Sequence, residues 1–504
     1  MSPARMSPVL PAAALAALAW SLAPAQAPAK SAPRLASERK AVDLTVYNHG
    51  QALIREERSI PLAKGDNRVQ VPDIPATIDA TSLHFAALAD PASVRVLEQS
   101  YQYDLVSQAK LLEKYLGKTV EFVREDPATR KESAVPGRIL AAGNPDAGGE
   151  QRPNSGMVAE INGRIELDPA GRLSLPALPE GLILKPQLEW MLHSAKEGEQ
   201  KAEISYLADG ISWSCDYVAL LSKGDDKLDL TGWVTLANNS GAAFRNAGLK
   251  LVAGDVHQVQ PAVEDRMEAK RGYATLAAAA PQFEQKELFE YKLYSLQRRT
   301  DIGGAETKQI ELVSAMNATA KKMLVYDGME EGWKYWLHNP GYRGQQTFGQ
   351  QSNPKVGVYV AFRNDEKSGL GMPLPKGKVR VYKKDDDGKE QFLGEDLLDH
   401  TPKDEEVRLY LGNAFDVVGQ RAQIDFKNLA FNRGVDETIQ IKVRNHKKEP
   451  VQVMIYEHPW RWSEWKIEKA DAKHEKVDQS TIRFPVEIAP DKEKVVTYTI
   501  RYVW

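Results

Sequence analysis

Alternation of apolar and polar residues with a period of two runs through most of the chain after residue 40. A β-strand points successive side chains to opposite faces, so this pattern indicates strands with one face in a core and one in water. The segments are rich in Val, Ile, Tyr, Thr and Trp and are bounded by Gly, Pro, Asn and Asp, as strands are. They are residues 44–48, 211–219, 232–236, 356–362, 437–443, 451–456 and 495–502.

Half-solvated strands are typical of antiparallel sheets. The sequence therefore predicts a mainly β fold of antiparallel β-sandwich domains with a small barrel-like insertion and few helices. One helix is predicted over 105–116, with Asp104 as its N-cap and Gly117 as its stop.

Four of the strand-like segments end in an asparagine that is followed by a polar or glycine-containing turn. These residues are Asn48, Asn238, Asn364 and Asn445. Asparagine tolerates the left-handed backbone region and hydrogen-bonds its neighbouring backbone, so it suits a corner between a strand and a turn. Several such corners favour sandwich domains.

The composition along the chain predicts a division into segments. Residues 26–40 form a linker, and 41–200 form an N-terminal β-module with the helix and a barrel-like insertion at 118–186. Residues 201–259 begin a β-sandwich region, the polar and alanine-rich stretch 260–287 is a linker or mobile excursion, and 288–504 form a C-terminal sandwich region.

The first 25 residues have the order of a secretory signal peptide: Arg5, an apolar run over 9–23, and small residues at Ala23-Pro24-Ala25. An uncleaved anchor is the alternative. No later window is apolar enough for a transmembrane helix. The formal net charge of −3, or −4 without Arg5, gives no basic surface for nucleic acid. A single cysteine excludes an internal disulfide, and we expect a periplasmic or secreted protein.

Several ordered motifs resemble the domain-of-unknown-function 4139 family. They are Leu44-Thr-Val-Tyr-Asn, Gly210-Ile-Ser-Trp213, Leu230-Thr-Gly-Trp-Val234, Leu251-Val-Ala-Gly-Asp255 and Thr497-Tyr-Thr-Ile-Arg-Tyr502, and the similarity covers about residues 41–504. Some members are called mucoidy inhibitor A-like, and they carry a coiled-coil region that this chain does not show. The resemblance implies an exported bacterial protein rich in β-structure, with no established reaction and no catalytic residues.

Familiar catalytic and cofactor motifs do not occur in the sequence. No two histidines have the spacing of a helical zinc pair, and Gly-x-Ser-x-Gly and the phosphate-binding loops are missing. Cys215 shares a strand face with Trp213 and Tyr217, which favours a small buried side chain over a nucleophile. The acidic run 385–388 lies between strands and suits a hairpin turn better than a calcium loop. We therefore predict no catalytic residue, no cofactor and no metal ligand.

Two tryptophan-rich segments are the remaining candidates for a site. In an extended chain Trp460 and Trp462 point the same way and form a flat platform, with Arg461 on the other side. Such surfaces bind sugar rings or protein partners, whereas the alternative is a core or inter-domain contact. The candidate residues for binding a partner or a glycan are Trp333, Trp336, Trp460, Arg461, Trp462 and Trp465.

The export signal, the β pattern and the missing motifs favour a non-enzymatic binding or structural protein of the cell envelope, whose partner is an envelope protein or a glycan. The alternative is an envelope hydrolase or metal-dependent enzyme with a site assembled from loops, because functional residues often lie on loops. A third hypothesis, prompted by the alternation over 496–504, is a structural protein associated with the outer membrane.

Overall fold

A computed structural model describes residues 33–127, 129–143, 156–179, 181–254, 282–329, 333–347 and 352–504. Within these residues the chain forms thirty β-strands and two short α-helices, which confirms the predicted mainly β fold. Residues 1–25 and most of 260–287 lie outside the described part, so the signal peptide and that linker stay predictions. Neither described helix has the length and apolar character needed to cross a membrane.

The first described strand lies within the predicted linker 26–40. The first strands of the fold are β1 (Arg34–Leu35), β2 (Ala41–Tyr47), β3 (Gln51–Leu62), β4 (Gly65–Pro72), β5 (Ile78–Ala87) and β6 (Val94–Gln102). Strand β1 pairs in parallel with β4, so part of the predicted linker belongs to a sheet. Strands β2 and β3 are antiparallel, with Leu44 opposite Ile54, and both side chains are fully buried as their alternation predicts.

The insertion is a small curled sheet. It contains the helix α1 (Gln108–Lys114) and the strands β7 (Thr119–Glu125), β8 (Glu132–Ala142), β9 (Met157–Ile161), β10 (Arg164–Leu167) and β11 (Arg172–Ser174). The strand order is β10-β9-β8-β7-β11. The Arg124 guanidinium on β7 lies 2.6 Å from Glu166 on β10, three places along the sheet, so the sheet curls like a barrel. Its end strands are not paired with each other in the described residues.

The helix of the insertion is shorter than the predicted span 105–116. Leu105 forms a β-bridge with Ile183, which holds the residues before the helix in an extended conformation. The helix therefore begins later, and the Ser107 hydroxyl, rather than Asp104, accepts the capping hydrogen bond from the Lys110 N–H at 3.3 Å.

In the middle of the chain, strands cross the boundaries between the segments that the sequence predicts. The strands here are β12 (Gln187–Ser194), β13 (Gly198–Asp209), β14 (Ile211–Leu221), β15 (Lys227–Asn238), β16 (Phe244–Ala253), β17 (Phe283–Leu288), β18 (Tyr291–Leu296) and β19 (Thr300–Ile302). The predicted boundary at 200/201 falls inside β13, which pairs with β3 along its whole length. The predicted linker end at 287 falls inside β17, which pairs with β18.

The last part of the chain forms most of a thirteen-stranded sheet. Its elements are β20 (Glu306–Asp327), α2 (Trp333–Trp336), β21 (Lys355–Arg363), β22 (Gly377–Lys384), β23 (Glu390–Leu398), β24 (Glu406–Asn428), β25 (Gly434–Asn445), β26 (Val451–Glu457), β27 (Trp465–Ala470), β28 (Glu475–Asp478), β29 (Thr481–Ile488) and β30 (Lys492–Val503). The first half of β20 pairs with β15, and its second half pairs with β21 and β26. This long strand therefore passes from one packing unit into the next.

Two large apolar cores result. The first core contains buried residues from Ala36 to Leu409 and includes Cys215, whereas the second contains Leu324 to Tyr502. The helix and strands of the insertion enclose a small third core around Phe122. The cores are set by pairing between distant strands, so they cross the predicted segment boundaries.

The asparagine corners are confirmed, because a strand ends at or just before each of the four asparagines, and at three of them the side-chain amide is buried. The buried side-chain amides of Asn238, Asn364 and Asn445 donate to the carbonyls of residues 242, 372 and 449 at 2.8, 2.9 and 2.8 Å. Their side-chain oxygens accept backbone N–H groups of the same turns. Asn48 is half-buried. Each buried amide thus satisfies the backbone of the turn that follows its strand.

Candidate binding site

Charged residues replace aliphatic ones at one end of the second core. Glu437 lies on the same face of β25 as Ile439, and Glu457 lies on the same face of β26 as Ile455, because side chains two apart on a strand share a face. Glu437 is 4% and Glu457 0% exposed. A carboxylate in such a place is tolerated only when it is paired and hydrogen-bonded.

Each of these two carboxylates has a buried arginine partner. The Nε and Nη2 atoms of Arg461 donate to the two oxygens of Glu437 at 3.0 Å each. The Nε of Arg421 donates to Glu457 at 2.9 and 3.1 Å, and the Tyr498 hydroxyl also donates to Glu457. The four charges balance, and we call these five residues the buried ion cluster.

Neighbouring charges shift the pKa values of two members of the buried ion cluster. Burial acts to lower the pKa of Arg421, but the charge of Glu457 and its hydrogen bond, together with Tyr498 and Glu437, outweigh burial and raise the pKa, so the guanidinium keeps its proton. Burial, and then the charge of Glu457, raise the pKa of Tyr498 well above its usual value. The tyrosine therefore stays a neutral donor to the carboxylate.

Arg461 also fastens the segment 333–347, which we call the α2 segment. Its Nη1 donates to the backbone carbonyls of Arg343 and Gln345 at 3.3 and 2.9 Å. The carbonyl of Trp460 in turn accepts the backbone N–H of His338 at 2.8 Å. The buried ion cluster and its neighbour thus hold the α2 segment against the end of the second core.

A histidine holds the start of the same segment. The rings of Trp333 and His458 are stacked, with centroids 4.2 Å apart and planes 9° apart. The His458 Nε2 lies 2.9 Å from the Asp327 carboxylate, and its Nδ1 lies 3.3 Å from the Ser480 carbonyl. Both ring nitrogens face oxygen acceptors, so the ring is fixed in orientation against Trp333.

The predicted platform of Trp460 and Trp462 does not form, because residues 458–464 leave the strand and the two-residue alternation stops at Glu457. Trp460 is 1% exposed, and the Arg461 guanidinium lies 4.5 Å from the centre of its ring. Trp333 is also buried, at 9% exposure. The alternative to an exposed platform, a contact in the core, is therefore the position of Trp333, Trp460 and Arg461.

Trp462, Trp336 and Trp465 remain half-buried and reach the surface. Trp462 contributes to a contact that includes two residues outside the predicted set. The Arg343 guanidinium lies over the rings of both Trp462 and Trp504, at 4.6 and 4.8 Å from their centroids. All three side chains are half-buried, and we call them the Trp–Arg stack.

A further tryptophan, Trp465 on β27, presents an indole with polar neighbours. The Lys476 ammonium lies 4.5 Å from its ring centroid, and the indole N–H donates to the Gln479 carbonyl at 2.8 Å. A cation over a ring face and a donor bond at its edge hold the indole in one orientation.

Sequence reasoning missed Arg343 and Trp504. Trp504 follows β30 and is distant from Arg343 in the sequence, so only strand pairing and the anchored α2 segment bring the two residues together. The alternation over 496–504 predicts a strand that ends at Trp504 but does not indicate a site there.

Other candidates for chemistry lie elsewhere. Cys215 is 2% exposed, and burial raises the pKa of its thiol to about 12, so it lacks the thiolate that a nucleophile needs. The acidic run 385–388 joins β22 and β23 as a hairpin turn. In the part of the chain that the structure describes, no three His, Cys, Asp or Glu side chains are grouped to hold a metal ion.

Comparison with protein-family models and with curated proteins returns no match for this chain. The resemblance to the domain-of-unknown-function 4139 family therefore stays a prediction. The candidate site consists of a balanced set of buried charges, a segment fastened to it, and tryptophans held at the surface.

Proposed function

We propose that this chain is an exported, non-enzymatic binding protein of the bacterial cell envelope that holds a glycan against the Trp–Arg stack and Trp465. The observation that carries the proposal is the Arg343 guanidinium over the half-buried rings of Trp462 and Trp504. The N-terminal signal pattern and the resemblance to the domain-of-unknown-function 4139 family support the envelope location.

The arrangement suits a ligand made of small rings with many hydroxyl groups. An indole has an apolar face for the C–H groups of a sugar and a polar N–H at its edge. Arg343 and Lys476 place hydrogen-bond donors beside these faces. Rings that are already held in place lose little conformational freedom when the ligand binds, which favours affinity.

A protein partner is the second candidate, since Trp and Arg are frequent anchors of protein interfaces. The Trp–Arg stack fits such an interface as well. What favours a glycan is that hydrogen-bond donors of Arg343, Lys476 and the indole edges lie beside half-buried rings, as a ligand with many hydroxyl groups requires.

The test is a titration of the full chain, after removal of the predicted signal peptide, with soluble peptidoglycan strands, lipopolysaccharide-core oligosaccharide and a neutral polysaccharide. Binding is followed by tryptophan fluorescence and calorimetry. We expect one of these glycans to bind, and Trp462→Ala to weaken it about tenfold or more because one stacking face is lost.

The matched control is Phe289→Ala, because Phe289 is an aromatic side chain that is 87% exposed in the turn between β17 and β18, which belong to a different sheet from the site. This variant should bind as the unsubstituted chain does. Unchanged binding by Trp462→Ala, or no binding of any of the three glycans, would overturn the proposal. Capture of an envelope protein that depends on Trp462, with no glycan bound, would establish the protein alternative instead.

A further inference from the structure

A groove of about 780 Å³ lies between the helix α1 and the strand β11 of the curled insertion. Its apolar lining is the buried Leu112 and the half-buried Leu111, Leu173 and Leu175. This volume lies within the range of small-molecule sites, which are mostly apolar with a few polar groups. The groove therefore has the size and lining of a ligand site.

In the described residues, the leucines at the sides of the groove keep part of their surface open to water. Leu112 belongs to the third core, which has eight buried residues, and Leu173 and Leu175 pack against that core with their other faces. Filling the groove with an apolar group would remove this leucine surface from water, which is favourable. The occupant must therefore have an apolar part that enters between α1 and β11.

The mouth of the groove carries a positive charge. The exposed side chain of Arg172 lines it, together with the neutral Ser107 and Gln108. Arg172 contacts Glu132 at 3.3 Å, with the two side chains 69% and 60% exposed. Exposed ion pairs of this kind contribute little to stability, so Arg172 can exchange Glu132 for another anion at low cost. The occupant should therefore carry its negative charge next to its apolar part.

We propose that this groove binds the acyl chain of an amphiphile whose anionic head pairs with Arg172. The leucines contact the chain, the guanidinium donates hydrogen bonds to a carboxylate or phosphate oxygen, and the Gln108 amide is placed beside the same head. The site lies in the insertion, and it is independent of the Trp–Arg stack and of the proposed glycan.

The experiment uses calorimetric titration of the full chain, after removal of the predicted signal peptide, with dodecanoate and with dodecyltrimethylammonium, which share a chain length but differ in head charge. We expect dodecanoate to bind about tenfold or more tightly than the cationic amphiphile. Arg172→Glu should reverse this order. No binding of dodecanoate, equal affinity for both amphiphiles, or an unchanged order in Arg172→Glu would overturn the proposal.

Two controls separate this site from others. Arg164→Glu changes an exposed arginine on β10 of the same insertion and should leave dodecanoate binding unchanged. Trp462→Ala should also leave it unchanged, so failure of the glycan proposal and failure of this one are distinguishable. A loss of dodecanoate binding in either control equal to that in Arg172→Glu would contradict the assignment to the groove.

A vesicle flotation assay distinguishes the source of the amphiphile. Flotation with phosphatidylglycerol vesicles that depends on Arg172 indicates a membrane lipid, whereas binding of dodecanoate without flotation indicates a free fatty acid. Both results support the anionic amphiphile. Flotation that Arg172→Glu does not reduce would show that the vesicle is bound at another surface and would count against the groove.

Discussion

The two large cores each contain buried ion pairs, but the pairs are built differently. Near the first core, Glu56 is 1% exposed. Its carboxylate contacts Arg58 at 3.2 Å and also pairs with Arg39. At the end of the second core, two carboxylates pair with two arginines, one to one. Arg39 also contacts the partly exposed carboxylate of Asp73 at 3.3 Å, so the first cluster extends to the surface, whereas all four charges of the second cluster are buried.

Both clusters fasten a chain segment through its backbone carbonyls. Arg58 donates to the Ser37 carbonyl at 3.1 Å and so holds the residues around β1, while Arg461 holds the α2 segment. Only the second fastened segment places an arginine over two half-buried tryptophans. The buried charges therefore act as anchors in both places, and under the proposed function the side chains that the anchored segment presents decide where binding occurs.

Breaking each anchor should give the largest effects. Arg461→Leu leaves Glu437 buried without its charge partner, and we expect the free energy of unfolding to fall by about 3–5 kcal/mol. Arg58→Leu should cost less, because Glu56 keeps its ion pair with Arg39. Chemical unfolding followed by circular dichroism measures both losses.

The functional consequence should differ between these two variants. Under folding conditions, Arg461→Leu should also weaken glycan binding, because the carbonyls of Arg343 and Gln345 lose their donor. Arg58→Leu should bind glycan normally. Adding Glu437→Leu to Arg461→Leu should recover much of the stability without the affinity. Equal glycan affinity in Arg461→Leu and Arg58→Leu would remove the distinction between the two clusters.

The asparagine corners test whether the two cores depend on the same turn device. Asn238→Ala and Asn445→Ala should each lower the free energy of unfolding by about 1–3 kcal/mol, because buried carbonyls lose their donor. Asn48→Ala, at the half-buried corner, should cost about 0.5 kcal/mol or less. Urea unfolding curves compare the three variants. An equal loss in the free energy of unfolding for Asn48→Ala would show that burial of the amide does not decide the size of the effect.

The smallest effect at neutral pH is expected from two buried side chains that lose a proton only at alkaline pH, the thiol of Cys215 and the phenol of Tyr326. Burial raises the pKa of Cys215 in the first core to about 12, while a thiol in an unfolded chain has a pKa of about 8.5. Between these values only the unfolded chain releases the proton, so stability should fall as the pH rises. The native thiol should therefore stay unreactive toward a thiol reagent at pH 8.

The same argument applies to the second core over a narrower window. Burial raises the pKa of Tyr326 to about 12 from about 10 in an unfolded chain. Cys215→Ala should thus reduce the alkaline loss of stability from about pH 8.5 upwards, and Tyr326→Phe only from about pH 10. Melting temperatures between pH 8 and 11 measure this difference, and identical curves for both variants would contradict it.

Much of the fold followed from local pattern. Alternation at 44–48 and 211–219 predicted strands with one buried face, and the buried Leu44 and Cys215 agree with that prediction. The helix span was less accurate, because the bridge of Leu105 to Ile183 is a distant contact that overrides local helix preference. The predicted boundary at 200/201 cuts through β13. The local sequence does not show this, because the partner of β13 is β3, which lies far back in the chain.

The candidate site shows the same limit. The sequence by itself determined the class of fold, the asparagine corners and the location of tryptophan-rich segments, because these depend on residue type and short-range periodicity. Only the tertiary structure decided that Trp460 and Arg461 are buried while Trp462 reaches the surface over Arg343. The reason is that alternation applies only where a chain is paired as a strand, and the residues after Glu457 are placed instead by buried charges and by a segment more than 110 residues away.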